Sequence, residues 1–392
     1  MREEDLLARE LHAVVAGGSI GGLAAALALR GIGARVPVFE RSAGRIQARG
    51  AGVVMQPEVE YLLERLGSSA AAVSVPLRRR QRIDRQGKIR AYDAPQLMTS
   101  WDALYRVLHH ALPADTYHPG SKLVETAEEG DSVVSRFADG RAVTCDLVIG
   151  ADGIGSAARV SAGIPGAARY AGYVAWRGLE PESSISERVL LTLRDAFTMY
   201  AVAGLQFLTY LVPGPNGETE PGRRRVNWVW YMNVTPETLP HALASRDGTR
   251  YRTLLPPGQL LRTTRLSLLE SARQHLPTVL ADLVGASNVF MQPVHDLPLT
   301  RMRAGRVALL GDAAGTVRPH TASGTSKAVG DALSLAHALK DWDPATPLPV
   351  EQLGVWERER GRHLRTVAAA GTQLAERSAL GIPHAPQFLK DL

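Results

Sequence analysis

The chain has 392 residues, 45% of them hydrophobic and 21% charged, and a formal net charge of +6 at pH 7. These values are typical of a folded globular protein, and the single cysteine, Cys145, excludes an internal disulfide and favours a reducing compartment. The sequence contains no run of about 18 apolar residues and no apolar core of a secretion signal near its start, so we expect a cytoplasmic protein without a membrane span.

Part of the excess positive charge comes from two short arginine runs, at 77–82 and 222–226. Neither run is interleaved with the aromatic residues that many nucleic-acid surfaces use for stacking. We therefore expect a basic surface that prefers small anionic ligands, with no nucleic acid and no membrane among the partners.

The first apolar stretch, 12–41, predicts a parallel βαβ unit with a strand over 12–16, a helix over 21–31 and a strand over 35–40. Gly17 and Gly22 take the first and third glycine positions of a dinucleotide-binding turn, and Ser19 takes the second. Glu40 ends the second strand at the spacing expected for a carboxylate that binds an adenosine ribose. The unit predicts a dinucleotide with its pyrophosphate at the helix N-terminus, contacted by Gly17, Gly18, Ser19, Ile20, Gly22, Glu40 and Arg41.

The rest of the chain first alternates between helix and strand signals. Helices are expected at 57–66 and 101–112, and a β-meander at 121–149 with a hairpin turn at 138–140. From about 170 to 300 the aromatic and β-branched residues predict a mostly antiparallel sheet, with one helix near 265–283 and a Gly/Pro-rich loop at 212–223. A strand and tight turn within 306–315, a helix at 324–340 and a long helix at 351–378 follow.

Two later strand ends carry carboxylates. Asp152-Gly153 follows the strand in "DLVIGADGIGSAAR", and Gly311-Asp312 follows the strand in "RVALLGDAAG". A carboxylate directly after a strand suits a polyhydroxy chain such as the ribityl group of FAD. The helix after the second motif has a positive N-terminus that suits the electron-rich edge of a reduced flavin, and the contacts expected there are Ala322, Gly324 and Thr325. The three motifs together predict FAD.

With these motifs the chain resembles the single-component, or class A, FAD-dependent aromatic hydroxylases typified by p-hydroxybenzoate hydroxylase, over nearly its whole length. It is most similar to the 2,6-dihydroxypyridine 3-hydroxylase subgroup in "GGSIGGL" (17–23), "YVAWRG" (173–178), "NWVWYMNVT" (227–235) and "RPHTASGTSKA" (318–328). It departs at Ser100, where many members have an FAD-contacting arginine, and at Ser326, where asparagine is usual. Ala322-Ser323-Gly324 stands where "GQG" is usual. The resemblance implies Val124 as a further FAD contact.

The motifs and the resemblance predict an α/β fold with a discontinuous, Rossmann-like FAD-binding domain and a β-rich, mostly antiparallel substrate domain. The FAD-binding domain is assigned to 1–72, 101–165 and 301–392, with the long C-terminal helix in the last segment. The substrate domain is assigned to 73–100 and 166–300. We expect a monomer or a homodimer.

The resemblance implies a monooxygenase that uses NADPH or NADH and O2. In that chemistry the reduced FAD forms a C4a-hydroperoxide, which an electron-rich aromatic or N-heteroaromatic ring attacks. The sequence has no second glycine-rich βαβ unit, which agrees with transient binding of NAD(P)H as a co-substrate. One alternative is an oxidase or reductase that inserts no oxygen, and another is a flavin-dependent halogenase. The halogenase signature, W-x-W-x-I-P on a helix, is not matched by the strand-like "WVWYMN" at 228–233.

The substrate pocket is expected between the β-rich sheet and the flavin, with the contacts Trp176, Tyr210, Trp228, Trp230 and His320. Trp228 and Trp230 share one face of a strand and Tyr231 takes the other, and one of these faces is expected to be core. His320 and Pro319 are the predicted catalytic residues, because an imidazole that titrates near neutrality would take the proton of a substrate hydroxyl. No metal site is predicted.

Overall fold

A computed structural model describes residues 10–44 and 52–388 of the chain. Within these residues the strands form three sheets, and their bounds are β1 Ala13–Ala16, β2 Val38–Glu40, β3 Gly52–Val54, β4 Val75–Ile83, β5 Ile89–Ser100, β6 Tyr117–Pro119, β7 Leu123–Glu129, β8 Ser132–Phe137, β9 Ala142–Cys145, β10 Leu147–Gly150, β11 Arg169–Pro181, β12 Ala196–Val202, β13 Leu205–Val212, β14 Arg225–Asn233, β15 Phe290–Asp296, β16 Arg303–Ala304 and β17 Val307–Leu309. The α-helices are α1 Ile20–Arg30, α2 Pro57–Arg65, α3 Trp101–His110, α4 Ala157–Ser161, α5 Glu187–Leu193, α6 Leu239–Ala242, α7 Arg262–His275, α8 Thr278–Gly285, α9 Gly311–Ala314, α10 Gly324–Leu339 and α11 Val350–Arg377.

The sheet that contains β1 has six strands among the described residues, in the order β16-β17-β10-β1-β2-β6. All of these strands except β16 run parallel to one another. Strands β1 and β10 are apolar and fully buried, as expected for a parallel sheet covered on both faces. Helices α1 and α10 pack together, and the antiparallel sheet of β7, β8 and β9 contacts β1 and β10. Because β1, β10 and β17 are parallel neighbours, Gly17, Asp152 and Gly311 come together at their carboxyl ends.

The second large sheet has the order β15-β11-β14-β13-β12-β4-β5-β3 within the described part of the chain, and its only parallel pair there is β4 with β12. One face of this sheet forms a hydrophobic core with residues of α5, α7 and α8. Residues of the other face line a cleft together with the turn after β1 and the loop before α10. The cleft face carries a smaller hydrophobic cluster as well, in which Tyr173, Val229 and Tyr231 pack with Ala375 and Leu380.

The structure confirms the predicted α/β class, with a parallel sheet, a β-rich antiparallel sheet and a long helix, α11, near the C-terminus. The helix expected near 265–283 is two helices, α7 and α8, because Pro277 holds the preceding Leu276 in an extended conformation. The predicted meander ends at β9, since β10 pairs with β1 in the parallel sheet instead. Strand β3 lies in segment 1–72 but pairs with β5 in the eight-stranded sheet. The division into five domain segments stays a proposal.

Among the described residues, no helix combines the length and the apolar character needed to cross a bilayer. The same residues hold no cluster of three or more His, Cys, Asp or Glu side chains placed to share a metal ion.

Candidate active site

Glycines in the turn after β1 and in the first turn of α1 stand where a side chain has no room. Gly17 has φ +107°, a conformation that glycine adopts easily, and a Cβ there would collide with the carbonyl oxygen of Ala151. A Cβ on Gly22 would collide with the Gly17 carbonyl, and one on Gly18 with the phenol of Tyr117. The tight turn places the N-terminus of α1 at a cavity, where its unpaired N–H groups favour an anion.

Glu40 lies at the end of β2 and is buried. Its Oε2 accepts a hydrogen bond from the Gly18 N–H at 2.8 Å, and its Oε1 accepts one from the Ser42 N–H at 2.9 Å. Each carboxylate oxygen keeps acceptor capacity on the side that lines the cavity. Glu40 thus has the position and the chemistry to bind a ribose, and that contact remains a prediction.

Asp152 has one satisfied and one unsatisfied carboxylate oxygen. Its Oδ2 accepts hydrogen bonds from the N–H groups of Ala157 and Ala158, at 2.6 and 3.2 Å, at the start of α4. Its Oδ1 is buried and has no partner among the described residues. The side chain lines the cavity, next to Gly153 at φ +81°. A buried acceptor without a partner is costly, so a hydroxyl donor from a bound molecule would fit here.

Gly311 and Asp312, after β17, belong to different environments. The Gly311 N–H donates to Asp331 at 3.1 Å, and the Gly311 carbonyl accepts from Lys327 at 2.8 Å. Asp331 is fully buried and also binds Lys327 and Arg360, at 2.9 and 2.8 Å. Asp312 instead opens into the cleft, although protein atoms crowd around it. This partial desolvation raises the pKa of its carboxyl, and the charge of Lys327 opposes the rise.

The residues of the three motifs line two cavities that join. The first cavity, of about 310 Å³, contains Glu40, Arg41, Asp152 and Gly153 in its wall. The second, of about 420 Å³, lies between the eight-stranded sheet and the N-terminus of α10. Both cavities share Ser19, Trp101, Ala151 and Asp312, so they form one continuous cleft. The second cavity is also lined by Ile20, Gly311, Pro319, His320, Ala322, Gly324 and Thr325.

The aromatic residues of the sheet divide between the cleft and the core. Tyr210 and Tyr231 line the cleft. Trp176, Trp228 and Trp230 are each 0% exposed, lie in the opposite hydrophobic core, and line neither cavity. Their prediction as substrate contacts is corrected accordingly. Strand alternation shows which residues share a face, but it does not show which face the helices cover.

His320 lies in the 3₁₀ turn Pro319–Thr321 with both ring nitrogens engaged. Its Nδ1 is 2.8 Å from Gln206 Oε1, and its Nε2 is 3.0 Å from the Tyr173 hydroxyl. An amide oxygen only accepts, so Nδ1 carries the proton and Nε2 accepts from Tyr173. Burial, aided by the charge of Arg318, lowers the pKa of His320 to about 4. The expectation of a ring that titrates near neutrality is corrected: the imidazole is neutral at pH 7.

The family described as "FAD binding domain" matches residues 10–189 and 272–342, and the family described as "FAD binding domain-like" matches residues 170–296. The chain is 37% identical over 331 residues to the 2,6-dihydroxypyridine 3-monooxygenase of Paenarthrobacter nicotinovorans, covering 83% of this chain and 82% of the relative. It is 30% identical over 402 residues to the 3-amino-4-hydroxybenzoate 2-monooxygenase of Streptomyces cremeus, covering 97% of this chain and 90% of the relative. The solved structure of 2,6-dihydroxypyridine-3-hydroxylase from Arthrobacter nicotinovorans matches with a TM-score of 0.88 at 30% identity, covering 98% of this chain and 99% of the other. The chain belongs to the class A FAD-dependent aromatic hydroxylases.

Membership of this family confirms the predicted resemblance, the FAD cofactor and the assignment as a monooxygenase. The relatives favour neither the halogenase nor the oxidase or reductase alternative. The structure adds that "WVWYMN" lies within strand β14, whereas the halogenase signature belongs to a helix.

The cleft contains groups whose chemistry suits the parts of FAD. Glycines without room for a Cβ form the turn at the N-terminus of α1, where a pyrophosphate is favoured. The unpartnered Asp152 Oδ1 and the open Asp312 carboxyl suit a polyhydroxy chain. Arg41 lines the first cavity with an exposed side chain. Val124 lines neither cavity, and the residue is 55% exposed, so the structure does not support it as a side-chain contact.

Several residues of the site were not predicted from the sequence. Trp101 lines both cavities, directly after Ser100, which caps α3 and accepts from Arg225. Gln56 donates to the Ala322 carbonyl at 2.9 Å and accepts from Ser326 at 2.7 Å, and so holds the loop before α10. Tyr173, Gln206 and Arg177 were also missed. Arg177 and Tyr173 lie within the "YVAWRG" stretch, which was the available signal.

Proposed function

We propose that this hydroxylase acts on a small aromatic or N-heteroaromatic ring that carries a hydroxyl group, with NADH or NADPH as electron donor and O2 as oxygen source. The observation that supports this most is the continuity of the cleft from the cofactor cavity into a second cavity lined by Tyr210, Tyr231 and His320. The names of the relatives, a dihydroxypyridine and an amino-hydroxybenzoate monooxygenase, refer to rings of this kind.

When bound, FAD supplies the electron transfer and the activation of O2. The backbone at Gly17–Ser19 would hold its pyrophosphate, Glu40 a ribose, and Asp152 with Asp312 the polyhydroxy chain. Ala322, Gly324 and Thr325 would present backbone groups at the N-terminus of α10, which favours negative charge. The apolar walls of the second cavity, such as Val229 and Leu208, would keep water from the ring.

The neutral His320 would act in this site as a positioning residue. Its ring lies 4.7 Å from the Tyr231 ring, centroid to centroid, and its two hydrogen bonds join the loop before α10 to β11 and β13. Because Nε2 already accepts from Tyr173, a substrate hydroxyl would transfer its proton to His320 only when Tyr173 releases that nitrogen. Gln206 would keep the tautomer with the proton on Nδ1.

The test is a screen of hydroxypyridines and hydroxybenzoates for stimulated NADH or NADPH oxidation by the purified FAD enzyme, in a buffer made with ¹⁸O2. We expect at least one ring to stimulate oxidation and to gain one labelled oxygen, measured by mass spectrometry. Oxidation of a ring without incorporation of label would instead support the oxidase alternative, and reduction of a ring would support the reductase alternative.

We further propose a cytoplasmic monomer or homodimer. The single cysteine, Cys145, is buried in β9, which is compatible with a reducing compartment. Light scattering of the purified protein measures its oligomeric state.

A further inference from the structure

A row of aromatic side chains begins at the cleft and follows helix α3. Trp101, the first residue of α3, lines both cavities at the place where they join. Its ring stacks on the ring of Tyr105, four residues later, with 4.9 Å between the centroids and 14° between the planes. The Tyr105 ring in turn lies 5.4 Å from the ring of His109, centroid to centroid, and the next residue, His110, is exposed. This aromatic row therefore connects the cleft with the protein surface.

A second tyrosine, Tyr117 of β6, holds the middle of the aromatic row. The Tyr105 hydroxyl donates to the Tyr117 hydroxyl at 3.3 Å, and the Tyr117 hydroxyl donates to the carbonyl oxygen of Gly18 at 3.4 Å. The rings of His109 and Tyr117 lie 4.7 Å apart at an interplanar angle of 65°. Burial, aided by the hydrogen bond with Tyr105, raises the pKa of Tyr117, so this phenol is neutral. Tyr105 is thus fixed by ring stacking and by a hydrogen bond to a neutral phenol.

A structural role accounts for part of this arrangement. Aromatic pairs four residues apart stabilise a helix, and the Tyr117 ring supports the turn after β1, where a Cβ on Gly18 would collide with it. That role does not explain the position of Trp101. Its indole packs against the core of the parallel sheet on one side and borders the cleft on the other. Because the cleft is the proposed binding place of FAD, Trp101 would border the cofactor.

The chemistry of the two rings suits the transfer of electrons. Tryptophan and tyrosine give up one electron more readily than the other aromatic side chains, and stacked rings pass the resulting vacancy from one to the next. An oxidised tyrosine also loses its hydroxyl proton, so it needs an exit for that proton. Tyr210 and Tyr231 line the cleft as well, but burial raises the pKa of both phenols and opposes this loss. Tyr105 is half-buried on a helix that reaches the surface, and its proton has an exit.

We propose that Trp101 and Tyr105 form an electron-transfer path from the protein surface to bound FAD, which gives the enzyme a second, light-driven route to reduced flavin. Blue light absorbed by oxidised FAD supplies the driving force, and Trp101 gives up one electron to the excited cofactor. Tyr105 then returns one electron to Trp101 and releases its hydroxyl proton to solvent. A thiol outside the protein restores Tyr105 with one electron and one proton. After two photons one dithiol has become a disulfide, and its two electrons, with two protons, have reduced FAD.

The test uses the purified FAD-loaded enzyme without oxygen, NADH or NADPH, and with dithiothreitol as the electron donor. Bleaching of the flavin absorption in blue light measures reduction, and a sample in the dark measures any direct reaction with the thiol. Flash absorption spectroscopy detects tryptophan and tyrosine radicals. The variants are Trp101→Phe and Tyr105→Phe. Their controls are Trp342→Phe, at a half-buried indole that lines neither cavity, and Tyr61→Phe, at an exposed phenol of α2.

We expect Trp101→Phe to lose the tryptophan radical and to slow the light-driven reduction at least about tenfold, because the phenyl ring does not supply the first electron. Tyr105→Phe should still form the tryptophan radical, but no tyrosine radical should follow. The electron then returns from FAD to Trp101, and the net rate of reduction should fall at least about threefold. Trp342→Phe and Tyr61→Phe should be reduced like the wild type. The Kd of FAD should stay close to the wild-type value in Tyr105→Phe, because Tyr105 lines neither cavity.

Reduction of Trp101→Phe at the wild-type rate would overturn the proposal, and so would a wild-type enzyme that forms no tryptophan radical. A tryptophan radical that decays alike in the wild type and in Tyr105→Phe would overturn the role of Tyr105. This second comparison tests the proposal even when Trp101→Phe retains no FAD. A lower Tm in both variants with unchanged light-driven reduction would leave the aromatic row a structural role only. No aromatic substrate takes part in these measurements, so a failure of the proposed function would not alter their outcome.

Discussion

The two halves of the cleft are built in different ways. In the cofactor half, backbone turns form much of the proposed binding surface. Glycine is required at positions 17 and 22, because the Cβ of any other residue at Gly17 or Gly22 would collide with backbone atoms. In the substrate half, side chains from β11 to β14 provide much of the wall, and the loop before α10 adds Pro319 and His320. The comparison teaches that a site made from backbone geometry is visible as a sequence motif, whereas a site made from one face of a sheet is visible only once the face is known.

The largest expected effect concerns the backbone half. Gly22→Ala places a methyl group against the Gly17 carbonyl, and we expect it to destabilise the protein by at least about 3 kcal/mol and to abolish FAD retention. The measurements are the flavin-to-protein absorbance ratio and chemical unfolding. Gly285→Ala is the matched control, because its Cβ would meet nothing within 4 Å. Wild-type flavin content in Gly22→Ala would contradict the assigned role of the turn.

The second prediction separates two aspartates of the same motif region. Asp331→Ala removes the carboxylate shared by the buried Lys327 and Arg360, and we expect a loss of about 3–5 kcal/mol in the unfolding free energy of the apoprotein. Asp312→Ala should leave that free energy nearly unchanged and weaken FAD binding by about 1.5–3 kcal/mol. Urea unfolding of the apoproteins and FAD titration distinguish the two. Equal unfolding free energies and equal FAD affinities in the two variants would contradict the assignment of Asp331 to the structure and of Asp312 to the cofactor.

The third prediction uses pH at the boundary between the halves. The pKa of His320 falls from 6.5 to about 4 on folding, so the unfolded chain binds the proton more readily in this window. The contribution of His320 to stability is therefore complete above about pH 6.5 and is lost as the pH falls towards 4, by on the order of 2–3 kcal/mol. We expect His320→Gln to show a smaller loss of unfolding free energy than the wild type between pH 6.5 and pH 4.5. Parallel pH profiles would mean that folding does not lower the pKa of His320.

The smallest expected effect tests the two faces of β14. Trp230→Phe shortens a core side chain and should cost about 1–2 kcal/mol of unfolding free energy while leaving the affinity for aromatic probes unchanged. Tyr231→Phe removes a hydroxyl on the cleft face and should change probe affinity with little effect on stability. Thermal unfolding and probe titration of both variants give the comparison. An altered affinity of Trp230→Phe for aromatic probes would contradict the core assignment and indicate that Trp230 contacts the substrate.

The sequence predicted which residues of the cofactor half lie together, because its spacing rules reflect backbone geometry, and their contacts with FAD stay a prediction. The positions of Gly17, Glu40, Asp152 and Asp312 along one cavity follow from four parallel strands, β1, β2, β10 and β17, that end side by side. The pairing of Asp331 with Arg360 could not be predicted, because Arg360 lies on α11 and reaches Asp331 only through tertiary packing.

The substrate half could be predicted only in part. Alternation correctly placed Trp228 and Trp230 together and Tyr231 apart, but the choice of face depends on α7 and α8, which pack under the indoles. The state of His320 depends on Gln206 and Tyr173, more than 100 residues away along the chain. Burial and distant partners of this kind set a pKa, and neither is written in the local sequence.

The alternation within β14 has a consequence for how this enzyme can diversify. Val229 and Tyr231 border the cleft, while Trp228 and Trp230, their immediate neighbours in sequence, hold the core. Mutations that retune substrate choice and mutations that compromise folding therefore fall on interleaved positions of one strand. A saturation scan of β14 scored separately for expression and for turnover should show two alternating patterns of tolerance.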